Sequence, residues 1–346
     1  MEKSFLIKRE DILIWISDIF NKKGLPHKDV EVISKALVQT SLWGIDSHGI
    51  ARVPHYIERF ETKSIKTNPD VSFLETGNAT GQIDGDDGHG IVVMEKATKQ
   101  AIAMAQSNGA AVIGVKKSSH CGAIGLYTRQ ITKAGLIGIA FTHSDSLVIP
   151  YGGKKAFFGT NPISIAFPTL NMEEPICLDM ATSIVPWNFI MNARRDKKTI
   201  EKGLGVDIYG NEITNADNIV AVKPMADYKG FALAFLIDML CGPLNGMNYG
   251  PNITAMYNDL DKKRGLGSLV IAIDPERFGG KENLKFVATE MINHLKKQNN
   301  NILFPGEPEY IKNTERLIKG IPISAELAKE FMYWSNKLNI AAPSYI

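Results

Sequence analysis

Cysteine is scarce in this sequence, and its spacing limits the kind of protein that the sequence can encode. Three cysteines, Cys121, Cys177 and Cys241, occur among 346 residues, and no two of them form a C-x-x-C pair. An odd and sparse set argues against a framework of disulfides and is typical of proteins in a reducing compartment.

Long apolar runs and an excess of one charge are also missing. No apolar run reaches the roughly 20 residues that a membrane-spanning helix needs, and Met1–Phe5 carries no hydrophobic core of a signal peptide. Basic and acidic residues number 39 and 37, which predicts neither a nucleic-acid partner nor a membrane partner. With 44% hydrophobic residues the chain can build a large core. We therefore expect a cytoplasmic, globular protein of two or three domains.

Several common ligand-binding motifs are absent. A Rossmann unit carries G-x-G-x-x-G between a strand and a helix. Residues 203–205 and 265–267 lack the third glycine, and residues 88–90 follow a loop. The sequence has no P-loop, no H-E-x-x-H and no G-x-S-x-G, and the acidic loop 83–90 lacks the closing glutamate of an EF-hand. We predict no metal site, and any dinucleotide must bind without a Rossmann fingerprint.

The most informative stretch that is present is S-S-H-C-G-A-I-G, residues 118–125. It follows a predicted buried strand, 110–117, and it leads into a predicted helix, 123–134. His120 is thus presented at a strand-to-helix corner among small residues, where a ligand can approach the backbone. Imidazole exchanges protons near neutral pH, which makes His120 a candidate acid/base. A lone histidine of this kind is more often a buried residue with two hydrogen bonds, and a second, similar stretch shifts the balance toward the acid/base role.

A second histidine occurs in a similar setting, in G-I-D-S-H-G-I-A-R-V-P-H-Y, residues 44–56. Arg52 and Tyr56 follow His48 at spacings of four and eight. If Gly49 opens a helix, the three side chains lie near one face. A planar guanidinium beside an imidazole and a phenol suits a small carboxylate substrate. The alternative is an ordinary helix start with surface charges.

The sequence pattern predicts helices in the first part of the chain, mixed strands and helices in the middle, and helices again at the end. Residues 9–60 are predicted to be helical and residues 61–90 irregular. Strands are predicted at 110–117, 136–142, 163–168, 175–180 and 268–273, and helices at 91–107, 123–134, 183–196, 231–240 and 281–297. This order favours an α/β or α+β architecture and leaves the order of the strands in the sheet open.

Six motifs in register give a resemblance to a known family. They are D-S-H-G-I-A-R (46–52), S-S-H-C-G-A-I-G (118–125), G-T-N-P-I-S-I-A-F-P (159–168), L-D-M-A-T-S (178–183), Y-K-G-F-A-L-A (228–234) and F-P-G-E (304–307). Together they resemble the type 2 malate/L-lactate dehydrogenase family, which is unrelated to the Rossmann-type enzymes. Within it the sequence is most similar to the ureidoglycolate dehydrogenases. The resemblance implies an NAD(P)-dependent 2-hydroxy acid dehydrogenase.

The resemblance also implies an architecture. We expect a non-Rossmann α/β (α+β) fold with an N-terminal helical domain and a largely antiparallel central sheet in the cofactor domain. Residues 1–75 would form the helical domain and pack with the C-terminal helices, 305–346. Residues 76–125 and 225–304 would form a third, substrate-side domain, and residues 126–224 the cofactor-binding sheet region. A homodimer with active sites near the subunit interface is implied as well.

Roles for individual residues follow from the same resemblance. His120 matches the catalytic acid/base, and His48 matches a second active-site histidine that some members use as the proton donor. Substrate contacts match Ser47, Arg52 and Tyr56, and cofactor contacts match Ser144, Asp179, Met180, Ala181, Lys229, Pro305, Gly306 and Glu307. The sequence departs from the family pattern at Asn188-Phe189, where a Gly-Lys pair is usual, at Asp227-Tyr228 and at Ala232.

The expected chemistry needs a base for the hydroxyl proton, a cation for the carboxylate and a nicotinamide that accepts hydride. His120 and Arg52 can supply the first two. We expect NAD as the cofactor, with NADP as the alternative that the basic residues of 194–198 favour. The substrate is left open, because malate needs a second cation, whereas ureidoglycolate needs hydrogen-bond partners for its urea group. The alternative function is a non-catalytic dinucleotide-binding protein, which the two histidines disfavour.

Overall fold

Helical segments at both ends of the chain enclose a strand-rich middle. The computed structural model describes residues 4–346, and residues 1–3, which begin the predicted helical domain, lie outside the described residues. The strands are β1 (Ser4–Ile7), β2 (Ser72–Gly77), β3 (Thr80–Asp84), β4 (Ala110–Ser118), β5 (Ile137–Thr142), β6 (Ile163–Phe167), β7 (Ile176–Met180), β8 (Gly205–Val206), β9 (Ala221–Val222), β10 (Leu266–Ile273) and β11 (Ile321–Ser324). The helices are α1 (Arg9–Lys22), α2 (His27–Leu42), α3 (Val53–Glu61), α4 (Gly90–Asn108), α5 (Gly125–Lys133), α6 (Trp187–Arg195), α7 (Tyr228–Cys241), α8 (Lys281–Gln298), α9 (Glu307–Lys319) and α10 (Ala325–Leu338).

The central sheet has seven strands in the order β2-β3-β4-β10-β5-β6-β7. Only β3 and β4 pair in parallel, and the other five pairs are antiparallel. The predicted non-Rossmann α/β fold with a largely antiparallel sheet is confirmed. The sheet takes strands from both the 76–125/225–304 and the 126–224 segments, and the division of the chain into three domains stays a prediction.

Strand β10 forms the centre of the sheet although it comes late in the chain. Val270 pairs with Ile113 of β4 on one side and with Ala140 of β5 on the other. All three side chains are fully buried. Helices α4 and α5 pack on this face, where Met94 and Ile131 belong to the same hydrophobic core. The pairing fixes the end of β4, and with it the corner that carries His120.

A second core joins the two ends of the chain. Strands β1 and β11 pair in antiparallel register, with Phe5 opposite Ile323. Trp15 of α1 donates a 2.8 Å hydrogen bond from Nε1 to Oγ of Ser335 in α10, and its ring lies 4.3 Å from that of Phe331. The N-terminal helices therefore share their core with the C-terminal strand and helix, and this packing supports the turn that carries His48.

Two expectations about local structure are wrong. Residues 61–90 are not irregular throughout, because β2 and β3 form a hairpin at the edge of the sheet. Most of β2 is exposed, so it lacks the apolar alternation that reveals a half-buried strand. Helix α6 begins at Trp187 rather than at 183, since Pro186 has extended backbone and precedes the first helical residue.

Two further observations concern membranes and metals. Within residues 4–346 every helix is too short or too polar to cross a lipid bilayer. In the same range no three histidine, cysteine, aspartate or glutamate side chains are grouped so that they could hold a metal ion.

Candidate active site

A cavity of about 260 Å³ opens where the turn before α3, the corner after β4 and the end of β7 meet. Its wall contains eight of the residues that the sequence predicted for the site. They are Ser47, His48, Arg52, His120, Ser144, Asp179, Met180 and Ala181. These residues come from four separate segments of the chain, and the fold brings them together.

The corner that carries His120 is fixed by backbone contacts on its buried side. Ser119 accepts a 2.8 Å hydrogen bond from the N–H of Gly90 and donates one of 3.0 Å to the carbonyl of Gly88. A Cβ atom at Gly90 would lie 2.2 Å from the carbonyl oxygen of Ser119, so only glycine lets α4 approach this closely. Gly122 has a φ of +72° and turns the chain toward α5.

One side of the His120 ring is bonded to protein. Nδ1 lies 2.7 Å from the hydroxyl of Tyr56, and the N–H of Gly122 lies 3.4 Å from the same nitrogen. Nε2 has no hydrogen-bond partner among the described residues. Burial, and after it the neighbouring His48 and Arg52, lowers the pKa of His120 well below its ordinary value. At neutral pH the ring is therefore uncharged, with Nε2 left for a ligand.

His48 faces the same cavity. Its ring centroid lies 5.3 Å from that of His120, and Nδ1 is hydrogen-bonded to Oγ of Ser47 at 2.8 Å. Burial and the charge of Arg52 lower the pKa of His48 to about 3. His48 does not lie on a helix opened by Gly49, because two short 3₁₀ turns, Asp46–His48 and Ile50–Arg52, precede α3. His48 and Arg52 share the cavity wall nonetheless, whereas Tyr56 lies outside it and contacts His120.

A third histidine on the cavity wall, His143, was not predicted, and its hydrogen bonds exclude it as an acid/base. Nε2 accepts a 2.9 Å hydrogen bond from the N–H of Gly267, and Nδ1 lies 3.2 Å from Oδ1 of the buried Asp238. Both ring nitrogens are thus engaged with protein. Of the three histidines on the wall, His48 and His120 each keep one nitrogen free.

Arg52 is buried, and each of its nitrogens is held. Nε donates to the carbonyl of Ser47 at 2.5 Å, Nη1 to the hydroxyl of Tyr257 at 2.8 Å, and Nη2 to Oδ1 of Asn188 at 3.3 Å. No carboxylate of residues 4–346 forms an ion pair with it. The three contacts use three of the five N–H groups of the guanidinium and leave one on each terminal nitrogen. A fixed, buried guanidinium with two free donors suits a carboxylate ligand.

The loop that carries Tyr257 is anchored by two buried arginines. Arg59 donates to the carbonyl oxygens of Met256, at 2.6 Å, and of Lys262, at 3.1 Å. Arg264 pairs with Asp145 at 2.7 Å, and the other oxygen of Asp145 accepts the N–H of Met256 at 3.1 Å. These contacts hold Tyr257 against Arg52.

Two carboxyl groups stand on the cavity wall away from Arg52. Oδ2 of Asp179 accepts a 2.8 Å hydrogen bond from the N–H of Gly125, the first residue of α5. Burial raises the pKa of Asp179 to about 6. Oε2 of Glu309 is buried and has no hydrogen-bond partner among the described residues. Asp179 was predicted as a cofactor contact, whereas Glu309 was not predicted.

Several predicted residues do not reach the cavity wall. Tyr56 lies behind His120, and its hydroxyl is hydrogen-bonded to that ring. Lys229 is exposed, although the start of α7 adjoins the cavity segment through a 2.9 Å hydrogen bond from Met225 N–H to the carbonyl of Thr182. The carboxylate of Glu307 is occupied by Lys296, at 2.6 Å, and by the N–H of Phe304, at 3.0 Å.

The neighbouring residues of the same loop are also engaged with protein. The carbonyl of Pro305 accepts the N–H of Cys177 at 2.8 Å. A Cβ at Gly306 would lie 3.2 Å from that same nitrogen. The roles of Lys229, Pro305, Gly306 and Glu307 in cofactor binding stay predictions.

Comparison with known proteins gives matches over nearly the whole chain. Residues 7–332 match the sequence profile of the malate/L-lactate dehydrogenase family. Ureidoglycolate dehydrogenase (NAD⁺) of Escherichia coli O157:H7 is 32% identical over 322 residues, which cover 92% of each chain. L-sulfolactate dehydrogenase of Methanocaldococcus jannaschii is 33% identical over 347 residues, 99% of each chain. The structure of malate dehydrogenase from Pyrococcus horikoshii OT3 superposes with a TM-score of 0.89 at 27% identity, covering 99% of this chain and 98% of that one.

Proposed function

Because this chain belongs to the malate/L-lactate dehydrogenase family and is an NAD(P)-dependent dehydrogenase of small 2-hydroxy acids, we propose how its own residues carry out the reaction. His120 exchanges the proton of the substrate hydroxyl, and Arg52 holds the substrate carboxylate. One observation carries this proposal. A single cavity contains a neutral, partly buried imidazole with a free nitrogen and a buried guanidinium that has no acidic partner among the described residues.

The residues around the cavity fit the nicotinamide end of the cofactor. The wall at Gly122, Ala123, Leu147 and Pro162 is small or apolar and suits a flat ring. The buried, unpartnered Oε2 of Glu309 is an acceptor that a carboxamide N–H can satisfy. A nicotinamide held there would supply the hydride acceptor for oxidation and the hydride donor for reduction.

The proton step uses the contact between His120 and Tyr56. In oxidation, neutral His120 with its proton on Nδ1 donates to Tyr56 and accepts the hydroxyl proton on Nε2. In reduction, the protonated ring gives this proton to the oxygen that develops negative charge. Nδ1 carries a proton in both protonation states, so the hydroxyl oxygen of Tyr56 accepts this hydrogen bond throughout the reaction. His48 is the second candidate donor, since its free nitrogen faces the same cavity.

Arg52 provides orientation as well as charge. A carboxylate that takes one N–H from each terminal nitrogen is held in one plane, so the substrate hydroxyl has a fixed direction. The contacts of Arg52 with Ser47, Asn188 and Tyr257 keep the guanidinium from rotating.

The test combines binding with turnover. The protein is titrated with NADH and with NADPH by nicotinamide fluorescence, and it is then assayed with lactate, malate, ureidoglycolate and their 2-keto acids. We expect cofactor binding and turnover of at least one acid. Binding without turnover of any acid would contradict the proposed residue roles and support the non-catalytic alternative.

We also propose that the protein is a homodimer and that a second copy covers the outer face of α7. Phe235, Leu236 and Met239 on this helix are 46%, 58% and 47% exposed, and Leu244 beyond its end is 61% exposed. An apolar patch of this kind on a soluble enzyme is typical of a subunit interface. Helix α7 begins next to the cavity segment, so the interface would adjoin the active site.

The dimer is tested by light scattering after size exclusion. Leu236→Glu should convert the dimer to a monomer, whereas Met332→Glu, at an exposed apolar residue of α10, should leave it intact. A monomeric wild-type protein would contradict the proposal.

We also propose that the protein is located in the cytoplasm, because Cys121, Cys177 and Cys241 are all free and buried.

A further inference from the structure

The cavity wall offers only one fixed positive charge. Among its lining residues that the structure describes, Arg52 is the sole arginine or lysine. The carboxylate of Asp145 is paired with Arg264, and the charge of the buried Arg129, behind the wall, acts on Asp179 and Glu309. Because Arg52 is needed for the carboxylate next to the reacting carbon, a second anionic group on the substrate would find no second cation on the wall.

Two uncharged hydrogen-bond donors lie next to Arg52, the proposed site of the substrate carboxylate. Oδ1 of Asn188 is turned toward Nη2 of Arg52, at 3.3 Å, because a guanidinium only donates. The Nδ2 amide group is therefore directed away from Arg52, and it has no partner among the described residues. The hydroxyl oxygen of Tyr257 accepts from Nη1 at 2.8 Å, so its own hydrogen is also free. Asn188 is half-buried, and both side chains line the cavity.

We infer that Asn188 selects the substituent on the substrate, and that this substituent is uncharged and accepts a hydrogen bond, as an amide or a urea carbonyl does. The inference rests on the proposed function, because it takes Arg52 as the site of the first carboxylate. A substrate with an acceptor at this position gains hydrogen bonds from these two donors that a substrate without one cannot form. A methyl group gives Nδ2 of Asn188 no acceptor, and a second carboxylate or a sulfonate brings a charge for which the wall has no second cation.

A matched pair of substrates isolates the charge. Malate and its 4-amide have the same carbon chain and nearly the same shape, but the amide replaces the second carboxylate. We expect kcat/KM for the amide to exceed that for malate by at least tenfold, and to exceed that for lactate as well. A preference for malate would overturn the inference while leaving the proposed function intact. Absence of turnover with any acid would instead contradict the proposed function.

Variants at Asn188 distinguish two possible roles of this residue, the selection of the substrate substituent and the positioning of the Arg52 guanidinium. Asn188→Ala should lower kcat/KM for the 4-amide about tenfold more than for lactate, with the affinity for NADH unchanged. Asn188→Asp keeps the shape and removes the donors, so it should also lower the ratio of amide to lactate. If Asn188 only positions Arg52, every acid will lose the same factor and the ratio will stay constant, which would overturn the inference. Asn300→Ala, at an exposed asparagine, is the control and should change neither rate.

Discussion

The hydroxyl of Tyr56 lies 2.7 Å from Nδ1 of His120, and this contact joins α3 to the end of β4. Tyr56 is fully buried and His120 is partly buried, and desolvation raises the pKa of Tyr56 while it lowers the pKa of His120. The phenol therefore stays protonated and the imidazole stays neutral at pH 7. The pair can store and release one proton at Nε2 without placing a net charge in the resting site.

Tyr56→Phe tests this contact, because it removes the hydroxyl and keeps the ring. The imidazolium that forms during oxidation would lose its partner at Nδ1, so kcat should fall roughly 10- to 100-fold. The KM for the acid should change little, since Tyr56 does not line the cavity. Steady-state kinetics measure both values, and Tyr209→Phe, at a tyrosine that is 75% exposed, is the control. An unchanged kcat would show that Nδ1 needs no partner.

His120→Ala should lower turnover by roughly 10²- to 10⁴-fold, because it removes the group that exchanges the substrate proton. Fluorescence titration should show that NADH binding is largely kept. The exposed His27 is the site of the control variant, His27→Ala, which should keep full activity. Turnover close to that of the wild type would contradict the role of His120 and would indicate that His48 is the acid/base.

Arg52→Lys keeps a positive charge but loses the planar pair of N–H groups. We expect a higher KM for the acid or a lower kcat, with the affinity for NADH unchanged. The loss should be larger than for Arg9→Lys, the same change at an exposed arginine outside the cavity. A loss of NADH affinity in Arg52→Lys would show that Arg52 binds the cofactor instead.

The sequence predicts the two histidines and the arginine of the cavity, but it does not predict the side chains that hold this arginine. His48, Arg52 and His120 stand in short segments where small residues and local spacing carry the signal. Asn188 and Tyr257 reach Arg52 from segments that are 136 and 205 residues away in the chain, and no local pattern records such a contact.

The contacts of the buried arginines and the order of the strands could not be predicted either, because both depend on packing between distant segments. Arginines are mostly found at the protein surface. Arg59 and Arg264 are nevertheless buried, and their contacts hold the loop that carries Tyr257. The predicted Glu307 and the observed Glu309 are two residues apart at the start of α9, and only the packing of that helix decides which carboxylate faces the cavity. The central place of β10 depends on pairing between distant segments, which leaves no local signal.

The buried histidines should make stability depend on pH. Burial lowers the pKa of His89 to about 3, whereas the unfolded chain titrates near the model-peptide value of roughly 6.5. Below pH 6.5 the unfolded state binds a proton that the folded state does not, so the free energy of unfolding falls as the pH falls toward 3. One such group contributes at most about 1.4 kcal/mol per pH unit.

His89→Asn should therefore make this decline shallower by one proton. Asparagine keeps an acceptor for the N–H of Ile91 at the start of α4, so the cap is preserved. Urea unfolding at pH 7, 6 and 5 measures the slope, and His294→Asn, on the exposed face of α8, is the control. A slope equal to that of the wild type would mean that His89 binds a proton to the same extent in the folded and the unfolded state.

The basic residues in the last turn of α6 and just after it bear on the choice between NAD and NADP. Arg194 donates to the carbonyl of Ala216 at 2.9 Å and stacks on Trp187. The other three cations are paired with nearby acids. Arg195 and Lys198 both contact Asp196, at 2.9 and 3.3 Å, and Lys197 lies 3.6 Å from Asp217. None of the four lines the cavity, and their local partners explain the cluster without a phosphate.

We therefore predict that kcat/KM is higher with NAD than with NADP when both are measured with one shared acid. A 2′-phosphate needs an arginine or lysine that is free to contact it, and here the nearby cations are engaged with acids or with backbone. The double variant Arg195→Ala/Lys197→Ala should then leave both values unchanged. A ratio that favours NADP tenfold or more, about 1.4 kcal/mol, would overturn the prediction. If that ratio collapsed in the double variant, Arg195 and Lys197 would be identified as the phosphate ligands.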